Sequence, residues 1–356
     1  MEKKNPLVVV SPLEWGLGHA TRCVPVIRCL LECRYRVLLV ITPSQHTLLQ
    51  PLFEDRVAYR ILRHPVIHYR FSFGVSMLLQ IPAFLRILSN ERKTIRGVVA
   101  EFQPDLIISD NRYGFWSSKV PSVILCHQLN LKTGGLSGPG NALHRSLLKR
   151  FAEVWVPDFQ QTPQLSGALG HPPPKGLNVR YIGALSRLHD APMNETVYDL
   201  LAILSGPEPE RSKLEQLVIQ YGLESGKKLA LIRGTTKPLS TQTPEDMSIM
   251  HLAQPREIEK LVAQSRTILC RSGYSSLCDL LALQRKAVLI PTPGQGEQEY
   301  LATWFAQQFG FLTCKQEYYS LANALCRAEN ADSTWPAEAS EHTDALLKSA
   351  FKAFGL

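Results

Sequence analysis

The sequence has 356 residues, of which 45% are hydrophobic and 20% are charged, so its composition is that of a folded globular protein. This length predicts two domains, each large enough to bury a core of its own. The net charge of +8 predicts a surface that attracts anions, which include phosphates, nucleic acid and acidic lipid.

Neither a secretory signal nor a membrane span is expected from the sequence. The first apolar run, residues 7–10, is too short for a signal peptide and is predicted to be a strand. No stretch of about 20 residues is apolar enough to cross a bilayer. The eight cysteines are scattered and form no C-x-x-C pair, which predicts reduced cysteines in a cytoplasmic protein.

The chain begins with a strand, a glycine-containing turn at 11–22 and an amphipathic helix, which is a Rossmann-like start. A dinucleotide fingerprint would require a third glycine near Thr21 and an acid after the second strand, 36–41. Both are missing, so NAD binding is not expected. The turn does contain His19, whose neutral imidazole can take a proton from a hydroxyl, although a histidine in a turn is often structural.

Residues 56–96 are rich in arginine and contain the apolar run Phe71–Leu88. Pro82 and Arg86 make this run a poor membrane span. An apolar face edged by arginines suits an interfacial helix that lies on an anionic membrane leaflet. A core helix with a basic, solvated side fits the pattern equally well.

Polar residues follow the next two predicted strands, 104–110 and 122–125. They are Asp110, Asn111, Arg112, His127, Gln128 and Asn130. Because the carboxyl ends of parallel strands share one edge of a sheet, Asp110 is expected near His19. A cap on the turn that follows is the structural alternative for Asp110. The glycine-rich segment 132–141 is predicted to be a mobile loop.

Strands and helices also alternate in the second half of the chain, which predicts a second doubly wound domain. Its first strand, 198–204, is followed by Ser-Gly-Pro-Glu-Pro. Ser205 and Gly206 have backbone donors that a phosphate needs, whereas the two prolines have none. An amphipathic helix is predicted at 343–354.

Residues 268–302 carry the densest set of functional side chains in the chain. A strand ends at Arg271, Ser272 and Gly273, and a helix containing Ser275 and Asp279 follows. Backbone N–H groups and the dipole at such a helix start favour an anion. A second strand, closed by prolines, leads to a loop with polar residues that suit sugar hydroxyls, although a solvated loop is the simpler interpretation. These loop residues are Gln295, Glu297, Gln298 and Glu299.

This segment resembles the donor-binding motif of GT-B glycosyltransferases, most closely that of family 28, which includes the peptidoglycan N-acetylglucosaminyltransferases. The similarity rests on the sequence 270–273, a carboxylate on the next helix, a proline-ended strand and an amide-bearing loop. The family usually has Glu in place of Asp279 and Gln in place of Glu299, so the identity of the transferred sugar is not predicted. The resemblance implies two Rossmann-like, doubly wound α/β domains that face each other across a cleft.

The resemblance also implies which parts of the chain bind which substrate. Residues 1–186 would bind the acceptor, 187–339 would bind the nucleotide sugar, and the C-terminal helix within 340–356 would pack back on the first domain. In family 28 the carboxylate at Asp279 binds ribose and the arginine at Arg187 is directed to the diphosphate. The donor-binding candidates are therefore Arg187, Ser205, Gly206, Leu252, Arg271, Ser272, Gly273, Ser275, Asp279, Gln295, Glu297, Gln298 and Glu299.

His19 resembles the presumed general base of many GT-B enzymes, and Asp110 resembles the aspartate that orients this histidine in plant-type members. The peptidoglycan enzymes lack that aspartate, so the two groups of relatives differ here. The acceptor-binding candidates are Gly18, Asn111, Arg112, His127, Gln128 and Asn130.

The resulting hypothesis is an inverting, metal-independent enzyme that moves a sugar from a UDP-sugar to an acceptor hydroxyl, without a cofactor. The chain has no D-x-D metal motif. Relatives with lipid-linked acceptors carry a patch comparable to 56–96, which implies peripheral contact with the inner face of the cell membrane. A sugar-nucleotide 2-epimerase and a catalytically decayed nucleotide-sugar-binding protein are the alternatives. Nucleic-acid binding is not expected, because the arginines alternate with aliphatic rather than aromatic residues.

Overall fold

The computed structural model describes residues 5–14, 17–62, 76–131, 137–189, 195–239, 242–332, 334–335 and 343–355. Contacts divide the chain into two compact units. Unit 1 comprises Met1–Leu185 and Glu341–Leu356, and unit 2 comprises Ser186–Ser340. Each unit is built on one parallel sheet with helices, which confirms the predicted doubly wound α/β class.

Unit 1 contains a seven-stranded sheet in the order β3-β2-β1-β4-β5-β6-β7. The strands are β1 (Leu7–Pro12), β2 (Arg36–Ile41), β3 (Ala58–Ile61), β4 (Leu106–Asp110), β5 (Ser122–Leu125), β6 (Glu153–Val156) and β7 (Val179–Tyr181). Val8 pairs with Val37 on one side and with Leu106 on the other. The order of strands therefore reverses beside β1, and ligands bind at the carboxyl edge of such a switch point.

Within the described ranges, four α-helices of unit 1 precede unit 2 in the chain. They are α1 (Leu17–Glu32), α2 (Pro43–Phe53), α3 (Ser76–Phe102) and α4 (Ser137–Leu148). The sequence analysis had placed a turn at Ser11, but β1 continues through Pro12. It had also placed a mobile loop at 132–141, but α4 begins at Ser137, and 132–136 lie outside the described residues.

The apolar run predicted to contact a membrane is only partly described. Residues 71–75 lie outside the described part, and α3 begins at Ser76 and continues well beyond Leu88. The side chain of Leu85 is 58% exposed on this helix, and Arg86 beside it is exposed too. Within the described ranges, no helix combines the length and hydropathy needed to cross a bilayer. Contact with a membrane surface stays a prediction.

Unit 2 contains a six-stranded parallel sheet in the order β10-β9-β8-β11-β12-β13. The strands are β8 (Tyr198–Ile203), β9 (Leu229–Ile232), β10 (Ser248–Met250), β11 (Ser265–Cys270), β12 (Val288–Leu289) and β13 (Leu312–Thr313). Its helices are α5 (Glu210–Ser225), α6 (Pro255–Ala263), α7 (Tyr274–Ala282), α8 (Gly296–Phe309) and α9 (Tyr318–Ala328).

The start of α8 corrects the sequence analysis at the predicted sugar-binding loop. Glu297, Gln298 and Glu299 lie in the first turn of this helix rather than in an open loop. Carboxylates are stabilised there because the helix dipole is positive at its N-terminus. The strand predicted before this loop, 286–290, is also shorter than expected, because β12 has only two residues.

The last helix, α10 (Thr343–Lys352), belongs to unit 1. Leu347, Ala350 and Phe351 are buried in the same apolar core as α1. The Phe351 ring lies 5.7 Å from that of Trp155, measured between centroids. Unit 1 is therefore completed by residues from both ends of the chain.

Two glycines of unit 2 provide a matched test of its packing. Gly226, after α5, and Gly234, after β9, have φ angles of 65° and 67°. A Cβ at Gly226 would meet nothing within 4 Å, whereas one at Gly234 would lie 2.5 Å from the Leu204 carbonyl oxygen. Gly226→Ala should cost about 1–2 kcal/mol of stability for its left-handed backbone, and Gly234→Ala should cost clearly more. Urea unfolding of both variants measures the difference, and equal losses would contradict the clash.

Candidate functional site

His19 and Asp110 lie together at the switch point of unit 1. His19 is the third residue of α1 and Asp110 ends β4. The Nδ1 atom of His19 lies 2.9 Å from Oδ2 of Asp110, and the Asp110 side chain is fully buried. Because an ionised carboxylate only accepts hydrogen bonds, Nδ1 carries the imidazole proton. The lone pair of Nε2 is then the one that can take a proton from a substrate.

Arg22, one helical turn after His19, binds the second oxygen of the same carboxylate. Its Nε donates to Oδ1 of Asp110 at 2.8 Å, and its NH2 group donates to this oxygen as well. Its NH1 lies 3.3 Å from Nδ1 of His127. The sequence analysis did not select Arg22. The available signal was its spacing of three residues from His19, which places both side chains on one helix face.

Burial and the Arg22 charge set the protonation states of His19 and Asp110. Burial would raise the pKa of Asp110, but the charges and hydrogen bonds of Arg22 and His19 lower it below its usual value. Burial, and then the Arg22 charge, lowers the pKa of His19, although Asp110 opposes this shift. Near pH 7 the histidine is therefore neutral and the aspartate ionised, which is the state that a general base requires.

The other acceptor-binding candidates lie around the same sheet edge. Asn111 has a φ of 52°, and its amide, suitably oriented, donates to the Leu125 carbonyl and accepts from Arg22. The carbonyl of Gly18 accepts a hydrogen bond from Thr21. The guanidinium of Arg112 donates to Glu91 and to Ser11, and its contact with an acceptor stays a prediction.

Three candidates follow β5. His127 is buried and contacts Arg22, as described above. The carbonyl of Gln128 accepts a hydrogen bond from His144 at 2.7 Å. The amide of Asn130 donates to the Pro172 carbonyl at 3.2 Å. Of this group, His127 is thus connected to the His19–Asp110 pair through Arg22.

Arg271 in unit 2 is bound to backbone carbonyls through part of its guanidinium, and its predicted contact with an anion stays a prediction. Its side chain is almost fully buried and donates to the carbonyls of Ile290, Pro291 and Glu210. It therefore ties the end of β12 to the start of α5. Burial lowers its pKa to about 10. Next to it, the Ser272 hydroxyl donates to the Gln298 carbonyl at 2.8 Å, which links the starts of α7 and α8.

Two buried polar atoms flank the predicted phosphate turn. Nε of Arg271 and Oγ1 of Thr292 have no hydrogen-bond partner among the described residues. A Cβ at Gly206 would lie 3.5 Å from the Thr292 oxygen and 4.0 Å from the Arg271 nitrogen. Gly206 has a φ of 101°, and the Ser205 side chain is exposed. Unsatisfied buried polar groups are costly, so this position favours a polar ligand.

Asp279 lies on α7 and accepts a hydrogen bond from the Ser186 hydroxyl at 2.5 Å. Burial raises the pKa of Asp279 to about 6, although Ser186 and the Arg187 charge oppose the shift. Burial also lowers the pKa of Arg187, whose Nε has no partner within the described residues. The structure therefore brings Asp279 near Arg187. It also brings Asp279 near Ser186, a residue that was not predicted from the sequence.

The residues predicted to grip the sugar are engaged with their own turn. The Gln298 side chain accepts from the Thr292 N–H at 2.8 Å and donates to Gln295 at 2.6 Å. The Glu299 carboxylate accepts from the Gly294 N–H at 3.0 Å. These bonds fix the turn before α8. Contact with a sugar, here and at Glu297, stays a prediction.

Two further donor-binding candidates lie at the ends of other elements. Leu252, two residues after β10, is 48% exposed, which leaves its side chain able to contact a planar base. Ser275 lies in the first turn of α7, which begins after Gly273 without a side-chain cap. Their contact with a nucleotide stays a prediction.

The fold and the second unit both match known proteins. Residues 194–352 match the family model described as the glycosyltransferase family 28 C-terminal domain. No curated protein matches the chain in sequence. The glycotransferase of kitacinnamycin is similar in structure, with a TM-score of 0.66 and 12% identity over 99% of this chain and 96% of that one.

Plant and antibiotic glycosyltransferases show the same similarity. Arabidopsis thaliana UGT89C1, complexed with quercetin, has a TM-score of 0.65 and 13% identity over 99% of this chain and 100% of that one. The calicheamicin glycosyltransferase CalG4 has a TM-score of 0.63 and 12% identity over 99% and 94% of the two chains. The predicted GT-B fold is confirmed.

Proposed function

We propose that this chain, which has the GT-B fold and matches the glycosyltransferase family 28 C-terminal domain over residues 194–352, transfers a sugar from a UDP-sugar to an acceptor hydroxyl. The observation that carries this proposal is the His19–Asp110 pair at the switch point of unit 1. Unit 1 supplies the base, and unit 2 holds the nucleotide sugar.

In the proposed reaction, Nε2 of His19 removes the proton of the acceptor hydroxyl while its oxygen attacks the anomeric carbon. The new C–O bond forms as the bond from the anomeric carbon to the UDP oxygen breaks, and a single displacement inverts the configuration. The imidazolium that forms is stabilised by the Asp110 carboxylate, to which its Nδ1–H is already bonded. UDP leaves with the electron pair of the broken bond.

Three features of unit 2 support UDP as the leaving group. Asp279 provides a carboxylate for the ribose hydroxyls, and the start of α7 provides a dipole for the diphosphate. The buried Arg271 and Thr292 atoms near Gly206, together with Arg187, offer further polar groups for it. Structures of UGT89C1 contain UDP and UDP-L-rhamnose, which favours a UDP-sugar donor here.

We propose that the reaction needs no metal ion. The sequence has no D-x-D motif, a pattern that binds the cation in metal-dependent transfer from nucleotide sugars. The Arg187 charge and the helix dipole would stabilise the leaving diphosphate instead.

The acceptor is proposed to be a hydroxyl compound, and a lipid-linked one suits the N-terminal unit best. Quercetin, which is bound to UGT89C1, shows that the fold accepts hydroxyl-bearing small molecules. Exposed Leu85 lies beside Arg86 on α3, within the basic region predicted to contact an anionic membrane. A cytoplasmic protein with peripheral contact at the inner face of the membrane fits this arrangement.

A binding screen followed by a product assay tests the proposal. UDP-sugars should raise the unfolding temperature more than GDP- or dTDP-sugars, because a ligand that binds the folded state stabilises it. With the best donor, UDP release should depend on an added hydroxyl acceptor. Conversion of the donor to its C2 epimer without an acceptor would indicate an epimerase, and binding without turnover would indicate a decayed enzyme. Either result would overturn the proposed transfer.

A further inference from the structure

Arg22 is buried among three ionisable side chains and is only 4% exposed. Two of its nitrogens donate to Asp110, and a third lies 3.3 Å from Nδ1 of His127. These contacts join α1 to the ends of β4 and β5. Burying a guanidinium costs free energy, and an apolar side chain would fill the same space without that cost. The burial of Arg22 therefore indicates a role for its charge or its N–H donors.

The chemistry of the guanidinium fixes the proton of His127. Arginine has five N–H donors and no acceptor, so the Nδ1 atom that faces it must present a lone pair. The proton of neutral His127 is then on Nε2. His19 has the opposite tautomer, since its Nδ1–H faces the Asp110 carboxylate. One Arg–Asp pair thus contacts the Nδ1 atoms of two histidines, one through the carboxylate and one through the guanidinium.

We propose that Arg22 is a positioning residue that holds His19 and His127 in opposite tautomers. His19 then exposes a lone pair at Nε2, and His127 carries an N–H at Nε2. The importance of this arrangement for sugar transfer rests on the proposed function, in which Nε2 of His19 is the base.

Charge balance around His19 supports this role. The charged and titratable groups that face it are Arg22 from its own helix, Asp110 from β4 and His127 after β5. Without Arg22, the Asp110 carboxylate would be the one permanent charge left among these described groups. Asp110 would then favour the imidazolium, and less of the base would be available near neutral pH.

Nitrogen-15 NMR of labelled histidines tests the proposal without any substrate. The His19 and His127 signals are assigned with the His19→Gln and His127→Gln variants. In the unaltered protein, His19 should be protonated at Nδ1 and His127 at Nε2, and His19 should titrate below the usual histidine pKa. In Arg22→Gln, the His19 pKa should rise and His127 should populate both tautomers. Arg28→Gln, a half-buried arginine of the same helix, should change neither.

Arg22→Lys keeps the charge but offers no planar pair of donors. It should therefore retain a low His19 pKa while His127 loses its single tautomer. This variant replaces Arg22→Gln in the experiment if Arg22→Gln does not fold. In folded Arg22→Gln, an unchanged His19 pKa together with a single His127 tautomer would overturn the proposal, and in Arg22→Lys a single His127 tautomer would do so. Since no step involves a donor or acceptor, a failed transfer assay alone would count against the proposed function and leave this result standing.

Discussion

Replacing His19 with glutamine should lower the turnover of sugar transfer about 100- to 10,000-fold, which is the usual contribution of a general base. Glutamine keeps a hydrogen-bonding side chain of similar length but cannot take the acceptor proton. The UDP affinity should stay the same, because the groups proposed to bind UDP are all in unit 2. Turnover is measured by acceptor-dependent UDP release and affinity by calorimetry.

Two further variants complete this experiment. Asp110→Asn should also lower turnover while leaving UDP binding alone, because an amide no longer stabilises the imidazolium or fixes the imidazole proton on Nδ1. His46→Gln, on α2, removes a histidine whose ring packs against Tyr59, outside the site, and should leave turnover unchanged. Full turnover in His19→Gln would remove the histidine from the mechanism.

Most of the fold could be predicted because parallel sheets leave a strong signal in the sequence. Strands buried on both faces appear as continuous apolar runs, and β1 and β2 have such runs at 7–10 and 37–41. The start of α8 was missed because Gly294 and Gly296 indicate a loop. The glutamine and glutamate that follow are in the helix, and their side chains accept hydrogen bonds from backbone N–H groups of the turn before it.

The site could be predicted only where strand ends determine it. His19 and Asp110 could be paired because β1 and β4 are neighbours whose carboxyl ends share one edge. Ser186 could not be found, because it lies in the irregular segment that follows β7, and no strand order predicts what that segment contacts. Arg112 and Arg271, which bind protein acceptors, show a second limit, although their contact with a substrate stays a prediction. An arginine after a strand can serve a substrate or a set of buried acceptors, and the sequence does not contain the distances that decide between them.

A second large effect is expected at Asp279, where stability and ligand binding should change in opposite directions. The pKa of this carboxyl is raised from 3.8 to about 6 in the folded protein. Between these values the folded state binds more protons than the unfolded state, so this group lowers stability as pH rises through that window. Above pH 6 the loss is constant, at about 3 kcal/mol for a shift of about two units.

Asp279→Asn should therefore be more stable than the unaltered protein at pH 8 in the absence of ligand, and the advantage should shrink as pH falls from 6 to 4. Urea unfolding at several pH values measures it. Asp332→Asn changes an exposed aspartate of the same unit and should show no such gain. A variant that is less stable at pH 8 would contradict the burial of an ionised, poorly compensated carboxylate.

The same substitution should weaken UDP binding about 10- to 100-fold at pH 8, because hydrogen bonds from ribose hydroxyls to a charged acceptor contribute about 1.5–3 kcal/mol. UDP binding would favour the ionised carboxyl, so the unaltered protein should lose affinity as pH falls below 6. Asp279→Asn should lack that part of the pH dependence, which separates it from the titration of UDP itself. Calorimetry at pH 8 and at a pH below 6 measures the UDP affinity of both proteins. Equal UDP affinity of the two proteins at pH 8 would mean that Asp279 does not bind the nucleotide.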